Sequence, residues 1–113
     1  MLKKEVIQGA LMQMGITPNY KGFVYIVEGV LYIDFNSGNY IVSDLYKTVA
    51  QKCNTHDRRV ERSIRYALYC IRKQAANSEA IQKYIGVEHA SNGKSLSRFH
   101  LILSWEQGGC DAE

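Results

Sequence analysis

Between Arg58 and Lys73 the sequence carries Arg58, Arg59, Arg62, Arg65, Arg72 and Lys73 against a single acid, Glu61. Such a density of guanidinium groups has a definite chemical use. The planar fork of arginine donates two parallel hydrogen bonds, which matches guanine O6 and N7 as well as phosphate oxygens. A carboxylate among them can accept from cytosine N4–H or orient a neighbouring arginine. At about 100° per residue, Arg58, Arg62, Arg65, Tyr69 and Arg72 share one stripe of a helix. Val60, Ile64, Ala67, Leu68 and Ile71 share the opposite one. The spacing therefore predicts a helix seated by one side and cationic on the other. A charged stripe opposite an apolar one is also the ordinary solvated face of an amphipathic helix. Two things set this segment apart: the acids that normally balance such a face are missing, and another capped helix ends just before it.

Other reactive side chains assemble into nothing comparable. Cys53-x-x-His56 has the spacing of half a zinc site, but Cys70, His89, His100 and Cys110 are scattered, so no second pair completes it. Cys53 and Cys70 read as small apolar residues. His56 falls in the first turn of the arginine-rich helix, where it can touch a phosphate or face solvent. No paired carboxylates, nucleophile–base arrangement or phosphate-cradling glycine loop is present, so the sequence gives no reason to expect an enzyme, a cofactor or a metal. Trp105, Phe99 and the tyrosines read as packing residues rather than a stacking platform for single strands.

The chain has 113 residues, 46% of them apolar, with one proline. That suits one domain with a modest core and no long linker. No apolar run approaches the roughly 18–20 residues that span a bilayer. The opening Met1-Leu2-Lys3-Lys4-Glu5 lacks a signal peptide's apolar stretch, and three cysteines do not make a disulfide framework. A cytoplasmic protein with no membrane partner is expected. The net charge of +3 says little, because the positive charge is concentrated in one segment and the remainder is nearly neutral.

A first helix is predicted from about Lys3 to Met14, with Val6, Ile7, Ala10, Leu11 and Met14 on one face and Gly15 and Pro18 as stop signals. The stretch from Tyr20 to Val42 is ambiguous. Phe23–Val27 and Val30–Ile33 are rich in β-branched and aromatic residues, Asn36–Asn39 resembles a turn, and Tyr40–Val42 follows as a further apolar piece. Propensity favours a hairpin, yet nearly continuous apolar residues also suit a buried helix. Ser43 or Asp44 is expected to cap a helix containing Leu45, Val49 and Ala50. Asn54 tolerates left-handed backbone and Thr55 can cap the next helix, a spacing that matches a helix-turn-helix. Beyond Gln74, residues 75–78 suggest a break before a short helix from Glu79 to Ile85, closed by Gly86. After a polar loop over 91–94, Leu96, Phe99, Leu101, Ile102, Leu103 and Trp105 are expected to supply a last core helix, with 108–113 a disordered tail.

The string Arg59-Val60-Glu61-Arg62-Ser63-Ile64-Arg65-Tyr66-Ala67 resembles the recognition helix in the DNA-binding effector domain of the sporulation initiation response regulators. The similarity extends to Ala50–Thr55, to Met14–Pro18 and Lys21–Tyr25 upstream, and more loosely to Ile81–Gly86 and Ser97–Phe99. It covers most of the chain, from about Val6 to Trp105. The resemblance implies an all-α, compact six-helix domain over residues 1–107, with a helix-turn-helix made by its third and fourth helices and with Tyr20–Asp34 helical. It implies a transcription regulator that places the helix at about 56–74 in the major groove of a TGTCGAA-like box. Double-stranded DNA is then the main partner, with RNA polymerase sigma factor and a second copy on tandem sites as further ones. Carried onto this sequence, Glu61 and Arg62 are expected to read bases. Arg59, Arg65 and Lys52 are expected nearer the backbone, with His56 as a phosphate contact.

Four departures from the family pattern bear on function. The receiver domain that precedes this one in the family is not in the sequence, so control by phosphorylation within the chain is not expected. Arg58 stands at a usually small position and Tyr66 at a usual histidine, and either can shift site preference or phosphate affinity. The last helix diverges most and carries several large apolar residues. That feature supports an alternative: a receiverless interaction module that pairs with a full-length regulator or sigma factor and modulates it.

Overall fold

The computed structural model describes residues 1–74 and 78–108. Among them six helices follow one another: α1 (Lys4–Met14), α2 (Gly22–Phe35), α3 (Val42–Lys52), α4 (Asp57–Lys73), α5 (Glu79–Tyr84) and α6 (Asn92–Gly108). There is no strand among the described residues, so the all-α expectation holds. Of the expected tail, Gly108 is the last residue of α6, and residues 109–113 lie outside the described ones, as do 75–77 of the expected break.

The hairpin that propensity favours between Tyr20 and Ile33 does not form. Gly22, Phe23, Ile26, Val27, Gly29, Val30 and Ile33 are the buried residues of α2, a spacing of three and four that belongs to a helix. Its near-continuous apolar character has a tertiary cause. α2 is the central helix and packs against α1, α3, α4 and α6, so it needs apolar residues on several sides. The tight turn expected after it is present, with Ser37 (φ 55°) and Gly38 (φ 85°) both left-handed. Tyr40–Val42 is not a strand either. The Tyr40 hydroxyl is tied to α6, donating to Gly93 O at 2.8 Å with Ser97 Oγ 2.7 Å away, and Val42 already belongs to α3.

Helix ends follow the expected chemistry in part. Gly15 (φ 95°) closes α1, and the next amide, Ile16 N, donates back to Leu11 O at 2.9 Å. Ser78 caps α5, accepting from Ile81 N. At α3 the expected caps fail: Ser43 and Asp44 are already helical, and Ile41 holds the cap position with no side-chain bond. α6 begins earlier than expected, because Ser91 Oγ accepts from Lys94 N at 3.2 Å and draws Asn92, Gly93 and Lys94 into the first turn. Within α6, Leu96, Phe99 and Leu103 enter the core, whereas Leu101 and Trp105 remain 45% and 62% exposed. Those two do not serve the core.

Candidate nucleic-acid interface

α3 and α4 are joined by Cys53–His56, and the turn is built from backbone. Asn54 adopts left-handed φ (54°), and Thr55 N donates to Ala50 O at 2.9 Å, which satisfies a terminal carbonyl of α3. Thr55 does not cap α4. His56 occupies the cap position in an extended conformation with no side-chain bond, while Asp57 Oδ1 accepts from Arg58 N at 2.8 Å. An acid in that first turn also complements the positive end of the helix dipole.

α4 seats itself by the residues its spacing marks. Val60, Ile64, Ala67, Leu68 and Ile71 are all buried, against α2, α3 and α6. A close crossing lies at Gly22: a Cβ added there would lie 2.6 Å from the Ser63 carbonyl oxygen and 3.2 Å from Ala67 Cβ. Only a glycine lets the start of α2 lie this near the backbone of α4. On the other flank Asn92, itself buried, donates through Nδ2 to Glu61 O at 3.0 Å and to the Tyr46 hydroxyl at 3.1 Å. The helix is thus held at Ser63 by α2, and at Glu61 by α6 and α3.

Its other side presents Arg58, Arg59, Arg62, Arg65 and Tyr66 to solvent, with His56 exposed just ahead of them. Arg58, Arg59 and Arg62 form no ion pair with any described residue. Glu61 is already engaged: its Oε2 lies 3.4 Å from Arg65 Nη1, one turn on. Tyr66 is 62% exposed, with its ring centroid 6.5 Å from that of Tyr20. The neighbouring Cys70 side chain pushes its phenol above the ordinary value.

Hollows on either side of the arginine face carry it beyond α4. Towards the α1–α2 turn, Lys21 joins His56, Arg58, Arg59, Arg62 and Ser63 around a concavity of about 490 Å³. Towards the α5–α6 loop, Tyr66 and Tyr69 meet Val87, His89 and Ala90 in one of about 520 Å³. Two of the basic residues singled out from the sequence do not join the face. Lys52 lies 3.3 Å from Glu28 Oε1 and borders a separate hollow with Met1, Leu31 and Phe35. Arg72 shares the stripe by spacing but turns inward, donating from Nε to Gly86 O at 3.2 Å and from Nη2 to Ile85 O (3.1 Å) and Ser95 Oγ (2.9 Å). Lys21 was not singled out as a functional residue. It lies 37 residues or more from the arginines in sequence, and the Gly22 crossing brings it to them.

The half zinc site gains no partners, since no group of three metal-ligating side chains exists among the described residues. Cys53 packs against the core, and burial pushes its thiol above the ordinary value, with the Glu28 charge adding to the shift. That is the opposite of what a thiolate ligand needs.

A family model for the C terminus of sporulation initiation factor Spo0A matches residues 7–103, most of the chain. The chain belongs to that family. As a member of this Spo0A C-terminal family it is a DNA-binding regulatory domain, and its all-helical fold is consistent with that family. No solved structure is significantly similar to the chain. No helix among the described residues is long and apolar enough to cross a membrane.

Proposed function

We propose that this domain is a sequence-specific transcription regulator that works in the cytoplasm and lays α4 in the major groove of a TGTCGAA-like box. The observation that carries the reading is the state of the arginines. Arg58, Arg59 and Arg62 project from the second helix of a helix-turn-helix with no ion-pair partner among the described residues, and the neighbouring acid is held against Arg65. A solvated face of ordinary composition would be laced with acids. Glu61 and Arg62 sit mid-face and read bases, Glu61 accepting from cytosine and Arg62 donating to guanine. Arg58, Arg59, Arg65 and His56 hold the phosphates that fix register. Tyr66 offers a flat apolar face and a hydroxyl where the family usually carries histidine. Lys52 stands outside this set, because it lies away from the arginine face, against a Glu28 carboxylate that it shares with Lys4.

The test compares binding to a TGTCGAA duplex with binding to a scrambled one at several salt concentrations. The expected result is tighter binding to the box, with Glu61→Ala or Arg62→Ala each lowering discrimination by about 1–3 kcal/mol at one base pair. Equal affinities with equal salt slopes would remove the claim of specificity.

A second reading is favoured by the exposure of Leu101 and Trp105 on α6. Large apolar residues left in solvent on one helix mark a contact with another protein. In that reading α6 pairs with a full-length regulator, sigma factor or a second copy on a tandem site. Co-elution with a full-length regulator in the absence of DNA would favour it, and its loss in Trp105→Ser would place the contact on α6.

A further inference from the structure

We infer that Lys21, on the α1–α2 turn and outside the helix-turn-helix, binds a phosphate of the DNA backbone and so widens the contact surface beyond α3 and α4. The inference rests on the reading that α4 enters the major groove. Lys21 ends the turn that opens α2, and the next residue is the glycine whose missing Cβ lets α2 approach the Ser63 carbonyl. That contact fixes the base of the Lys21 side chain beside α4. Lys21 is exposed and forms no ion pair with any described residue. It shares its hollow with His56, Arg58, Arg59, Arg62 and Ser63, and no carboxylate borders that space.

The chemistry selects the occupant. Several like charges around one concavity repel each other until a polyanion arrives, and no carboxylate among the described residues lines the hollow to supply the missing negative charge. An α-helix with its side chains is about 10–12 Å across and the major groove about 12 Å wide, so groups on a flank of the helix meet the phosphate walls and not the floor. Lysine suits that wall. It is a point charge on a flexible stem, able to meet a phosphate but lacking the fork that reads guanine. A lone mobile anion in the hollow is the competing occupant, and it predicts no change in the salt dependence of DNA binding.

The experiment measures duplex binding of the full chain and of Lys21→Gln, Lys21→Arg and Lys3→Gln against salt, with the TGTCGAA duplex and the scrambled one. Lys3→Gln removes the same charge from the start of α1. For Lys21→Gln the slope of log K against log salt is expected to become shallower by about 0.9, the value for one lost phosphate contact. The affinity ratio between about 50 and 200 mM salt then shrinks roughly 3- to 4-fold. Both duplexes should weaken by the same factor, and Lys21→Arg should restore the wild-type slope. An unchanged slope, or an equal change in Lys3→Gln, would overturn the assignment. Loss confined to the TGTCGAA duplex would also overturn it, since Lys21 would then be reading sequence. Equal wild-type binding to the two duplexes removes only the specificity proposed for α4, and Lys21 is still judged by its slope. Absence of any salt-dependent wild-type binding defeats both.

Discussion

Arginine does two different jobs on α4, and what each guanidinium touches separates them. The guanidinium groups of Arg58, Arg59 and Arg62 pair with no acid among the described residues, whereas that of Arg72 spans three acceptors on Ile85, Gly86 and Ser95. The fork of Arg72 closes the end of α5 and the first turns of α6 onto α4, at a place where Gly86 turns the chain with positive φ (78°). Lysine has no planar fork with which to bridge them. Arg72→Met is expected to cost about 1.5–3 kcal/mol, the range for hydrogen bonds from a charged donor to partners left without one. The ratio of TGTCGAA to scrambled binding should stay unchanged. Thermal melts paired with the two binding curves check this, and a changed ratio at unchanged melting temperature would move Arg72 back into the interface. Helical spacing alone could not make the distinction. It places Arg72 on the stripe of Arg58 and Arg62, and only the return of the α5–α6 connection, far along the chain, turns one of them inward. The buried side of the same helix was legible to the residue, because Val60, Ile64, Ala67, Leu68 and Ile71 need no partner other than apolar surface of any kind.

Among the elements, α2 decides how the interface is built, and it is also the one that local propensity misreads. Its β-branched and aromatic residues signal strands, while its environment, helices on several sides, rewards any apolar residue at helical spacing. The resemblance to the family's opening helices was what made it readable as a helix. Helix ends were legible where a backbone conformation demanded a residue type, as at Gly15 and Asn54. They were not legible at α3, where Ile41 holds the cap position and no side chain bonds the helix start. The Gly22 crossing lay beyond reach as well, since the significance of a glycine at a helix start depends on what passes beside it. Gly22→Ala puts a methyl group 2.6 Å from a backbone oxygen, and a backbone cannot swing away as a side-chain tip can. The expected loss is about 1–3 kcal/mol, typical of overpacking. A shift of about 4–8 °C in melting temperature per kcal/mol makes it measurable. Any relief comes from moving α2 away from α4, so the Lys21 contribution to the salt slope should fall along with stability. A Gly22→Ala protein that melts like wild type would show the crossing to be looser than the structure has it.

For the molecule as a whole, one carboxylate joins the start of the chain, its central helix and its last helix. Asp34 on α2 accepts from Leu2 N through Oδ2 at 2.8 Å, and its Oδ1 lies 3.0 Å from His100 Nε2 on α6, which Ser104 Oγ also approaches at 3.3 Å. Both partners are largely shielded, with 16% and 12% of the Asp34 and His100 side chains exposed. Burial pushes the Asp34 carboxyl up, but the Leu2 bond, the His100 bond, the His100 charge and the amino terminus together outweigh it, so the group ends below its ordinary value. A carboxylate depressed in the folded state contributes stability that is complete above its unfolded value and is lost as pH falls through the folded one. The window therefore opens at about pH 4 and extends downward. Asp34→Asn keeps the shape but not the charge, and is expected to lower stability by about 1.5–3 kcal/mol near neutrality. The gap between wild type and variant should close as the pH falls below about 4, where the wild-type carboxyl also becomes neutral. Glu106 on α6 is depressed too: burial opposes its charged form, and Lys83 and Tyr84 more than compensate. It contributes to acid unfolding in both proteins and cancels from their difference. Urea midpoints from pH 3 to pH 6 give that difference directly. A gap that stays constant across the range would mean that Asp34 acts by its shape, and that the tie between the chain's start and its last helix does not depend on charge.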